Sequence, residues 1–283
     1  MAEPLTLVLR CPDSPGIMAA VTGFVSAAGA TILESSHYLD QTQQRLSLRV
    51  AFAATGAPLD LETVRAQFQP IAQAHAMTYQ IFDGGHVGTI LMVSRFGHCL
   101  FDLVHHWQAG LLPIRIDAVV SNHETHRSFV EWAGLPFHYL PVTPATKVES
   151  EARLLELIAA KDSELLVLAR YMQVLSPEVS RALAGRCINI HHGFLPSFKG
   201  AKPYHQAFAR GVKVIGATAH FVTTDLDEGP IIEQDTVRVD HSLGPDDLIA
   251  AGRDVESAVL RRAVGWYAQR RILLDGGKTV VFR

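Results

Sequence analysis

The chain contains 283 residues, of which 48% are hydrophobic and 19% are charged. This length is enough for one large domain or two smaller ones, and the apolar content is sufficient for a substantial core. The net charge of −3, with basic residues scattered along the chain, argues against a protein that binds nucleic acid through a basic face.

The N-terminal region is predicted to contain strands and helices in the order βαββαβ, which is typical of a ferredoxin-like split unit. Its first helix places Ile17, Val21, Phe24 and Val25 on one face. Pro70 is expected to kink or divide the second helix. The strands are predicted at residues 5–12, 31–40, 45–53 and 77–83.

The stretch CPDSPGIMAAVTGFVSAAGATIL resembles the start of an ACT domain, and the resemblance covers residues 5–83. In that family a glycine after the first strand opens the first helix, and Gly16 occupies this position. A glycine there lets a small ligand or a partner chain approach the backbone closely. The resemblance implies a regulatory or oligomerisation domain over residues 1–84, with Gly16 at an amino-acid effector site. A plain turn glycine in an oligomerisation domain is the alternative.

The segment DGGHVG, residues 83–88, separates this region from a second domain predicted over residues 85–283. There, continuous apolar strands alternate with helices, which predicts a Rossmann-like, mostly parallel α/β sheet covered by helices on both faces. The first of these strands is not followed by Gly-x-Gly-x-x-Gly, and the chain has no Walker A motif. An NAD-linked oxidoreductase is therefore disfavoured.

Three segments deliver polar side chains to the ends of predicted strands, where open parallel sheets bind ligands. One strand is predicted to end at Tyr171, one ends at His191, and a third passes through His220 and leads to Asp227. Asn189 and His191 share one side of their strand because side chains alternate. An amide beside an imidazole can stabilise a developing oxyanion and move a proton, and a carboxylate can orient the imidazole or hold a water.

No serine or cysteine stands in a nucleophile-elbow context, so water or a substrate amine is the expected attacking group. Asn-x-His alone at a strand end is usually structural, and it is the joint occurrence of these groups that indicates catalysis. A histidine metal site is a weaker alternative, because HExxH is absent and adjacent histidines on one strand point to opposite faces. Its ligands would be His191, His192, His205 and His220.

The joint pattern resembles the folate-dependent formyltransferase family. The family's Asn-x-His, its LLPSFKG-like loop and its HFV…LDxGPII segment stand here as NIHHGFLPSFKG and AHFVTTDLDEGPIIEQD, within residues 87–240. The resemblance implies that Asn189, His191 and Asp227 are catalytic. It also implies a folate site lined by Met172, Gln173, Val174, Thr218 and His220.

One departure distinguishes members of this family. The transferases grip a ribonucleotide phosphate with a Gly-Asn-Gly-Ser-Asn loop after the first strand, whereas this chain has SRFGHCLFD there, with only Gly97 left. An ACT-like domain ahead of a formyltransferase-like domain, with NIHH and YHQA, resembles the 10-formyltetrahydrofolate deformylases over essentially the whole chain. This resemblance implies hydrolysis of 10-formyltetrahydrofolate to formate and tetrahydrofolate, supplying formate for purine synthesis and balancing one-carbon pools. It implies no cofactor beyond the folate substrate.

Two other functions stay open besides the oxidoreductase: a folate-dependent formyltransferase with an amine acceptor, and a non-catalytic amino-acid sensor. A homo-oligomer, dimer or tetramer, is expected. The loop GFLPSFKGAKPYH is expected to wall the cleft, with Pro196 and Pro203 limiting its freedom. Asp225 and Glu228 are expected to face solvent or cap their turn.

The cysteines are few and far apart, without a Cys-x-x-Cys pair, so buried free thiols are predicted instead of disulfides or a thiolate metal site. Neither a signal peptide nor an apolar segment of about 18 residues is found. We therefore expect a cytoplasmic enzyme that acts on a small folate molecule, with neither nucleic acid nor membrane as a partner.

Overall fold

A computed structural model describes residues 4–196 and 203–283 of the chain. Within the described part, no helix is both long enough and apolar enough to cross a membrane. The chain forms two compact units. The first comprises residues 1–85, 270–275 and 280–283, and the second comprises residues 86–269 and 276–279.

The C-terminal segments of the first unit are joined to it by ion pairs. Arg271 donates two hydrogen bonds to the carboxylate of Glu34, at 2.7 and 2.8 Å, and Arg10 pairs with Asp275. The sequence-based division placed all of residues 85–283 in one domain and differs from the structure here. The reason is that these short segments contact residues far away in sequence, such as Glu34 and Arg10, which local patterns do not reveal.

The first unit is a four-stranded antiparallel sheet in the order β2-β3-β1-β4 with two helices, so the predicted ferredoxin-like order is confirmed. Helix α1 follows Gly16, whose φ of 93° favours glycine. The second helix continues through Pro70 and is not divided. The elements are β1 (Leu5–Pro12), α1 (Ile17–Ala27), β2 (Ala30–Asp40), β3 (Arg45–Ala54), α2 (Leu61–Ala74) and β4 (Thr78–Phe82).

The core of the first unit lies between this sheet and the two helices. All four residues predicted to share one face of α1 are buried, as are Phe52 of β3 and Phe68 of α2. The Phe24 ring packs edge-on against both of these phenylalanines, with centroids 6.5 and 4.9 Å away. Burial of this apolar face is what the helical spacing of the sequence predicts.

The second unit is built on a seven-stranded sheet in the order β11-β10-β9-β8-β5-β6-β7. Strands β5 to β9 run parallel to one another, whereas β10 is antiparallel to both β9 and β11. The elements are β5 (Val87–Val93), α3 (His98–Gln108), β6 (Ile114–Ser121), α4 (Arg127–Trp132), β7 (Phe137–Tyr139), α5 (Lys147–Lys161), β8 (Leu165–Leu168), α6 (Pro177–Ala182), β9 (Cys187–His191), α7 (Pro203–Ala209), β10 (Val214–Phe221), β11 (Ile231–Arg238) and α8 (Pro245–Ala268). A separate two-stranded sheet follows, formed by β12 (Ile272–Asp275) and β13 (Lys278–Val281).

Every residue of β5 and of β8 is buried, as expected for parallel strands with helices on both faces. Strand β8 ends at Leu168, so the predicted end at Tyr171 is wrong. The chain turns away because Arg170 adopts a left-handed conformation with a φ of 64°. A non-glycine residue in this region carries backbone strain and is enriched at functional sites.

Candidate active site

A cavity of about 650 Å³ opens in the second unit, around the carboxyl ends of β8 and β9. Its walls come from the segments that follow these two strands, the loop between β10 and β11, and one face of α8. Nearly all residues that the sequence singled out line this cavity: Met172, Gln173, Val174, Asn189, His191, His220 and Asp227.

Strand register brings Asn189 and His220 together. The two residues are paired across the antiparallel β9–β10 ladder, and the Asn189 amide nitrogen lies 3.2 Å from Nε2 of His220. At its other nitrogen, Nδ1, His220 donates to the carbonyl oxygen of Phe221 at 2.9 Å. That bond leaves Nε2 to accept from the Asn189 amide, whose second hydrogen remains for a ligand.

His191 and Asp227 form an imidazole–carboxylate pair. Nδ1 of His191 lies 3.2 Å from Oδ2 of Asp227, and Oδ1 of Asp227 lies 3.6 Å from Nε2 of His220. Within the described residues, the buried Nε2 of His191 has no hydrogen-bond partner. Because Nδ1 faces the carboxylate, Nε2 is the nitrogen that the ring offers to a ligand.

The loop between β10 and β11 fixes Asp227 over the strand ends. Asp227 itself has a φ of 57°, and a Cβ at Gly229 would clash with the carbonyl oxygen of Phe221. Burial by itself would raise the pKa of Asp227, but hydrogen bonding to the carboxylate, chiefly from the His191 imidazole, outweighs it and holds the pKa well below its ordinary value. Asp227 is therefore an anion at neutral pH.

Two neighbouring acids in this loop differ from Asp227. Asp225 and Glu228 are both exposed, as expected, although Asp225 lies at the rim of the cavity. The backbone carbonyl of Asp225 accepts hydrogen bonds from the Thr223 hydroxyl at 3.0 Å and from the Glu228 N–H at 3.3 Å. Asp225 thus caps the turn through its backbone.

The segment after β8 forms the opposite wall. Met172 and Val174 are apolar yet 48% and 56% exposed, and both line the cavity with Gln173. The backbone N–H of Met172 donates to the Ser94 hydroxyl at 3.0 Å, which ties this segment to the end of β5. The segment therefore presents backbone groups and apolar side chains to the cavity.

Thr218 does not line the cavity, which corrects the sequence-based assignment. It is fully buried, and its hydroxyl donates to the carbonyl oxygen of Gly193 at 2.9 Å. The Thr218 hydroxyl oxygen also accepts hydrogen bonds from the Leu195 N–H at 3.1 Å and from the Gln234 amide at 3.0 Å. With one donated and two accepted bonds the hydroxyl is saturated, so Thr218 supports the chain after β9 instead of contacting a ligand.

Sequence reasoning missed a buried group of charges on another wall of the cavity. Glu256 of α8 is 1% exposed and accepts hydrogen bonds from His98 at 2.8 Å and from the Tyr204 hydroxyl at 2.6 Å. The Arg170 guanidinium nitrogen Nε lies 3.2 Å from the same carboxylate. Burial would raise the pKa of Glu256, but these three partners outweigh it and lower the pKa. We call these four residues the Glu256 cluster.

A sequence signal for this cluster exists on α8. The buried positions of that helix follow helical spacing, and Glu256 is the one acid among them. A lone acid on an apolar helix face indicates a buried, paired charge. Gly252 lies one turn before it, where a Cβ would clash with the Tyr204 ring. This glycine lets Tyr204 reach the carboxylate.

The adjacent histidines do not follow the alternation expected of a strand. His191 is the last residue of β9 and His192 lies in the bend that follows, so both rings line the cavity, with centroids 5.3 Å apart. Among the described residues, the group whose donor atoms are close enough for a metal ion is His98, Cys99 and Glu256. Burial raises the pKa of the Cys99 thiol, and Arg170 pairs with the carboxylate, so this group is better suited to an ion-pair network than to a metal.

The segment GFLPSFKGAKPYH, predicted to form a wall of the cleft, belongs only in part to the described residues. Residues 197–202 of that loop lie outside the described residues. After this segment, Tyr204 belongs to the Glu256 cluster and His205 lines the cavity from α7.

Known proteins share both the fold and the length of this chain. A model of the formyl transferase family matches residues 88–264. A formyltetrahydrofolate deformylase of Corynebacterium sp. (strain P-1) is 52% identical over 98% of this chain and 97% of its own length. The chain belongs to the formyltetrahydrofolate deformylase family.

Solved structures separate the deformylase family from its transferase relatives. A formyltetrahydrofolate deformylase from Pseudomonas syringae pv. tomato superimposes with a TM-score of 0.96 at 44% identity and covers 100% of this chain and 95% of that chain. A glycinamide ribonucleotide transformylase from Symbiobacterium toebii gives a TM-score of 0.66 at 28% identity and covers 72% of this chain and 97% of that chain. The transformylase fold thus matches part of the chain, and the deformylase fold matches all of it.

Proposed function

We propose that this protein hydrolyses 10-formyltetrahydrofolate to formate and tetrahydrofolate. The observation that carries the proposal is the cavity in which Asn189, His191 and Asp227 converge, in a chain that is similar over its full length to proteins named formyltetrahydrofolate deformylase. A volume of about 650 Å³ lies in the range typical of small-molecule sites.

In the proposed reaction, water attacks the formyl carbon. The second amide hydrogen of Asn189 and the protonated Nε2 of His191 stabilise the negative charge that develops on the formyl oxygen. The Asp227 carboxylate, 3.2 Å from Nδ1, stabilises the imidazolium. The proton that the attacking water gives up is delivered to the folate nitrogen, which leaves with the electron pair of the broken carbon–nitrogen bond, and formate is released.

The folate is proposed to bind along the segment after β8. Gln173 supplies polar groups there, and Met172 and Val174 supply exposed apolar surface at the cavity wall. His220 contributes by orienting the Asn189 amide instead of by direct contact with the pterin. A binding site with apolar walls and few directed polar groups is the usual design for a planar ring.

The end of β5 argues against a ribonucleotide acceptor. Gly97 begins α3 with a φ of −98°, and a Cβ there would lie 2.6 Å from the His126 ring and 2.7 Å from the Phe101 ring. This glycine is therefore required by side-chain packing, and it is the only glycine left where the transferase family has a phosphate-binding loop. Water is the acceptor that this arrangement favours over an amine.

Incubation with 10-formyltetrahydrofolate, without any amine, tests the proposal. Formate and tetrahydrofolate should appear in equal amounts. An amine-dependent formyltransferase would instead release tetrahydrofolate only after an acceptor such as glycinamide ribonucleotide is added, with the formylated acceptor in place of formate, and that result would reject hydrolysis.

The proposal extends to the biology of the enzyme. The formate that the enzyme releases is proposed to supply purine synthesis and to balance one-carbon pools. The proposed compartment is the cytoplasm, where free thiols such as the three buried cysteines of this chain are common. The proposal also includes a homo-oligomer formed through the first unit, with an amino-acid effector at Gly16, where no atom of a non-adjacent described residue lies within 4 Å of the position of a Cβ. Light scattering of a variant lacking residues 1–84, and amino-acid titration of the whole chain, test these parts: unchanged assembly and no response would reject them.

A further inference from the structure

The segment that follows β8 lines the cavity, yet few of its own backbone groups are hydrogen-bonded. Residues 171–175 form neither a helix nor a strand, and the side chains of Tyr171 and Leu175 attach the segment to the apolar core. Within the described residues, the backbone N–H groups of Gln173 and Val174 have no hydrogen-bond partner. The exact position of this wall therefore depends on the bonds made where the segment begins.

Those bonds come from the end of β5 and from Ser94, the residue that follows it. The N–H of Ala169 donates to the carbonyl oxygen of Met92 at 2.8 Å, and the N–H of Ser94 donates to the carbonyl oxygen of Arg170 at 3.2 Å. The N–H of Met172 donates to the Ser94 hydroxyl at 3.0 Å. Ser94 thus holds the chain at two positions, on either side of the residue after the left-handed turn.

Asn122, the residue after β6, orients the Ser94 hydroxyl. The hydroxyl oxygen accepts from the Met172 N–H, so its own hydrogen is left to donate, and Oδ1 of Asn122 accepts it at 2.7 Å. Ser94 and Asn122 are 2% and 7% exposed, and neither is among the described residues that line the cavity. An effect of either side chain on a ligand must therefore pass through the segment after β8.

We propose that Ser94, oriented by Asn122, acts as a positioning residue that holds residues 172–174 ready for the folate. We call these two residues the Ser94 tether. This inference rests on the proposed function, in which the folate binds along this segment. A segment that is already in place binds its ligand without an ordering cost. If the tether is cut, only a fraction of the molecules hold the binding position, and the apparent Kd rises in inverse proportion to that fraction.

Ser94→Ala cuts the tether, because it removes the acceptor of the Met172 N–H and the donor to Asn122 together. The Kd for tetrahydrofolate, measured by anaerobic calorimetry, should rise roughly 10-fold, as when one molecule in ten holds the segment in place. The KM for 10-formyltetrahydrofolate should rise by a similar factor. The kcat should stay within a few-fold of wild type, because bound folate itself restores the position of the segment.

Asn122→Ala tests whether Asn122 acts through Ser94. It keeps the serine hydroxyl and removes the acceptor that orients it, so the Kd for tetrahydrofolate should rise less, by about 3-fold. The double variant should bind tetrahydrofolate as Ser94→Ala does, because the two residues belong to one chain of hydrogen bonds. If the two effects multiply in the double variant, Asn122 acts independently of Ser94 and the tether is wrong.

The matched control is Ser163→Ala, at the amino end of β8 and away from the cavity. Ser163 is also a buried serine, 4% exposed, and its hydroxyl donates to the Asp117 carboxylate at 2.6 Å. Its substitution should lower thermal stability about as much as Ser94→Ala does, with the Kd for tetrahydrofolate unchanged. An equal rise in Kd in the control would show that general destabilisation, and not the tether, weakens binding.

Two other results would overturn the role of Ser94. One is a folded Ser94→Ala whose Kd and KM lie within 2-fold of wild type, and the other is a loss of kcat in place of affinity. If Ser94→Ala does not fold, an unchanged Kd in Asn122→Ala has the same consequence. These results leave the proposed hydrolysis intact as long as the wild-type enzyme releases formate without an amine. If the wild type releases none, the proposed function fails, while the binding series still tests the tether.

Discussion

Two carboxylates at the cavity have different surroundings. Glu256 lies on a long helix, is 1% exposed, and has partners on both of its oxygens. Asp227 lies in a loop with a left-handed backbone and pairs with His191, whose second nitrogen is left without a partner in the described part of the chain. The comparison indicates that a carboxylate with partners on both oxygens stabilises the fold. A carboxylate whose partner imidazole keeps an unpaired nitrogen towards the cavity is placed for catalysis.

The largest expected effect concerns stability and comes from Glu256→Gln. Removing the charge leaves the Arg170 guanidinium without its buried counter-ion, which should lower the free energy of unfolding by about 3–5 kcal/mol. Chemical unfolding at neutral pH measures it. Glu149→Gln, which removes an exposed pair with Arg153, is the control and should cause little change.

The pH dependence sharpens this prediction. Because the folded pKa of Glu256 lies below its ordinary value of 4.5, its ionised form stabilises the protein above that pH. This contribution is lost as the pH falls through the folded pKa. Glu256→Gln should therefore lose less stability than wild type on acidification below about pH 4.5. Parallel acid-unfolding curves for the two proteins would contradict the assignment.

On the other side of the cavity, His191→Ala and Asn189→Ala should each lower turnover on the order of 10²-fold or more. Each removes a donor to the developing oxyanion. Thermal melting should change little relative to Glu256→Gln, because both residues face the cavity from the end of a strand. Turnover near the wild-type value in either variant would show that its role is misassigned.

Asp227→Asn keeps the shape of the side chain and removes its charge. Turnover should fall by roughly 10²-fold, because the imidazolium of His191 loses its counter-ion. Folate affinity should change much less. Asp225→Asn and Glu228→Gln are matched controls in the same loop and should stay within a few-fold of wild type. Equal losses in all three variants, or an affinity loss that accounts for the whole Asp227 effect, would remove the catalytic assignment.

The smallest expected effect concerns Tyr204→Phe. It deletes one hydrogen bond to a buried carboxylate and should lower the free energy of unfolding by about 1.5–3 kcal/mol. Tyr171→Phe is a suitable control, since Tyr171 is also a buried residue but its hydroxyl has no hydrogen bond within the described residues. If both variants lose the same stability, the bond to Glu256 is not what holds Tyr204.

The two sides of the cavity also differ in how far the sequence predicts them. Asn189 and His191 are two residues apart on one strand, and Asp227 lies in a recognisable loop motif, so local patterns are enough to find them. The Glu256 cluster joins residues as far apart as His98 and Glu256, 158 positions away in the chain, and only tertiary packing brings them together.

Thr218 and the end of β8 are two further places where the structure differs from the sequence-based prediction. Thr218 shares a strand side with His220, so alternation predicts that both face the cleft. The hydroxyl of Thr218 is nevertheless covered by the chain after β9, a long-range contact. The strand end at Leu168 was missed because a left-handed Arg170 interrupts an apolar run that looks continuous in sequence.

The most direct test of water as the acceptor is hydrolysis of 10-formyltetrahydrofolate in water enriched in oxygen-18, with the formate analysed by mass spectrometry. If water attacks the formyl carbon, each formate released by the wild-type enzyme should carry one labelled oxygen, and the slow Asp227→Asn variant should give the same label at a lower rate. Formate without label, or release of tetrahydrofolate only when an amine is present and without formate, would contradict the account.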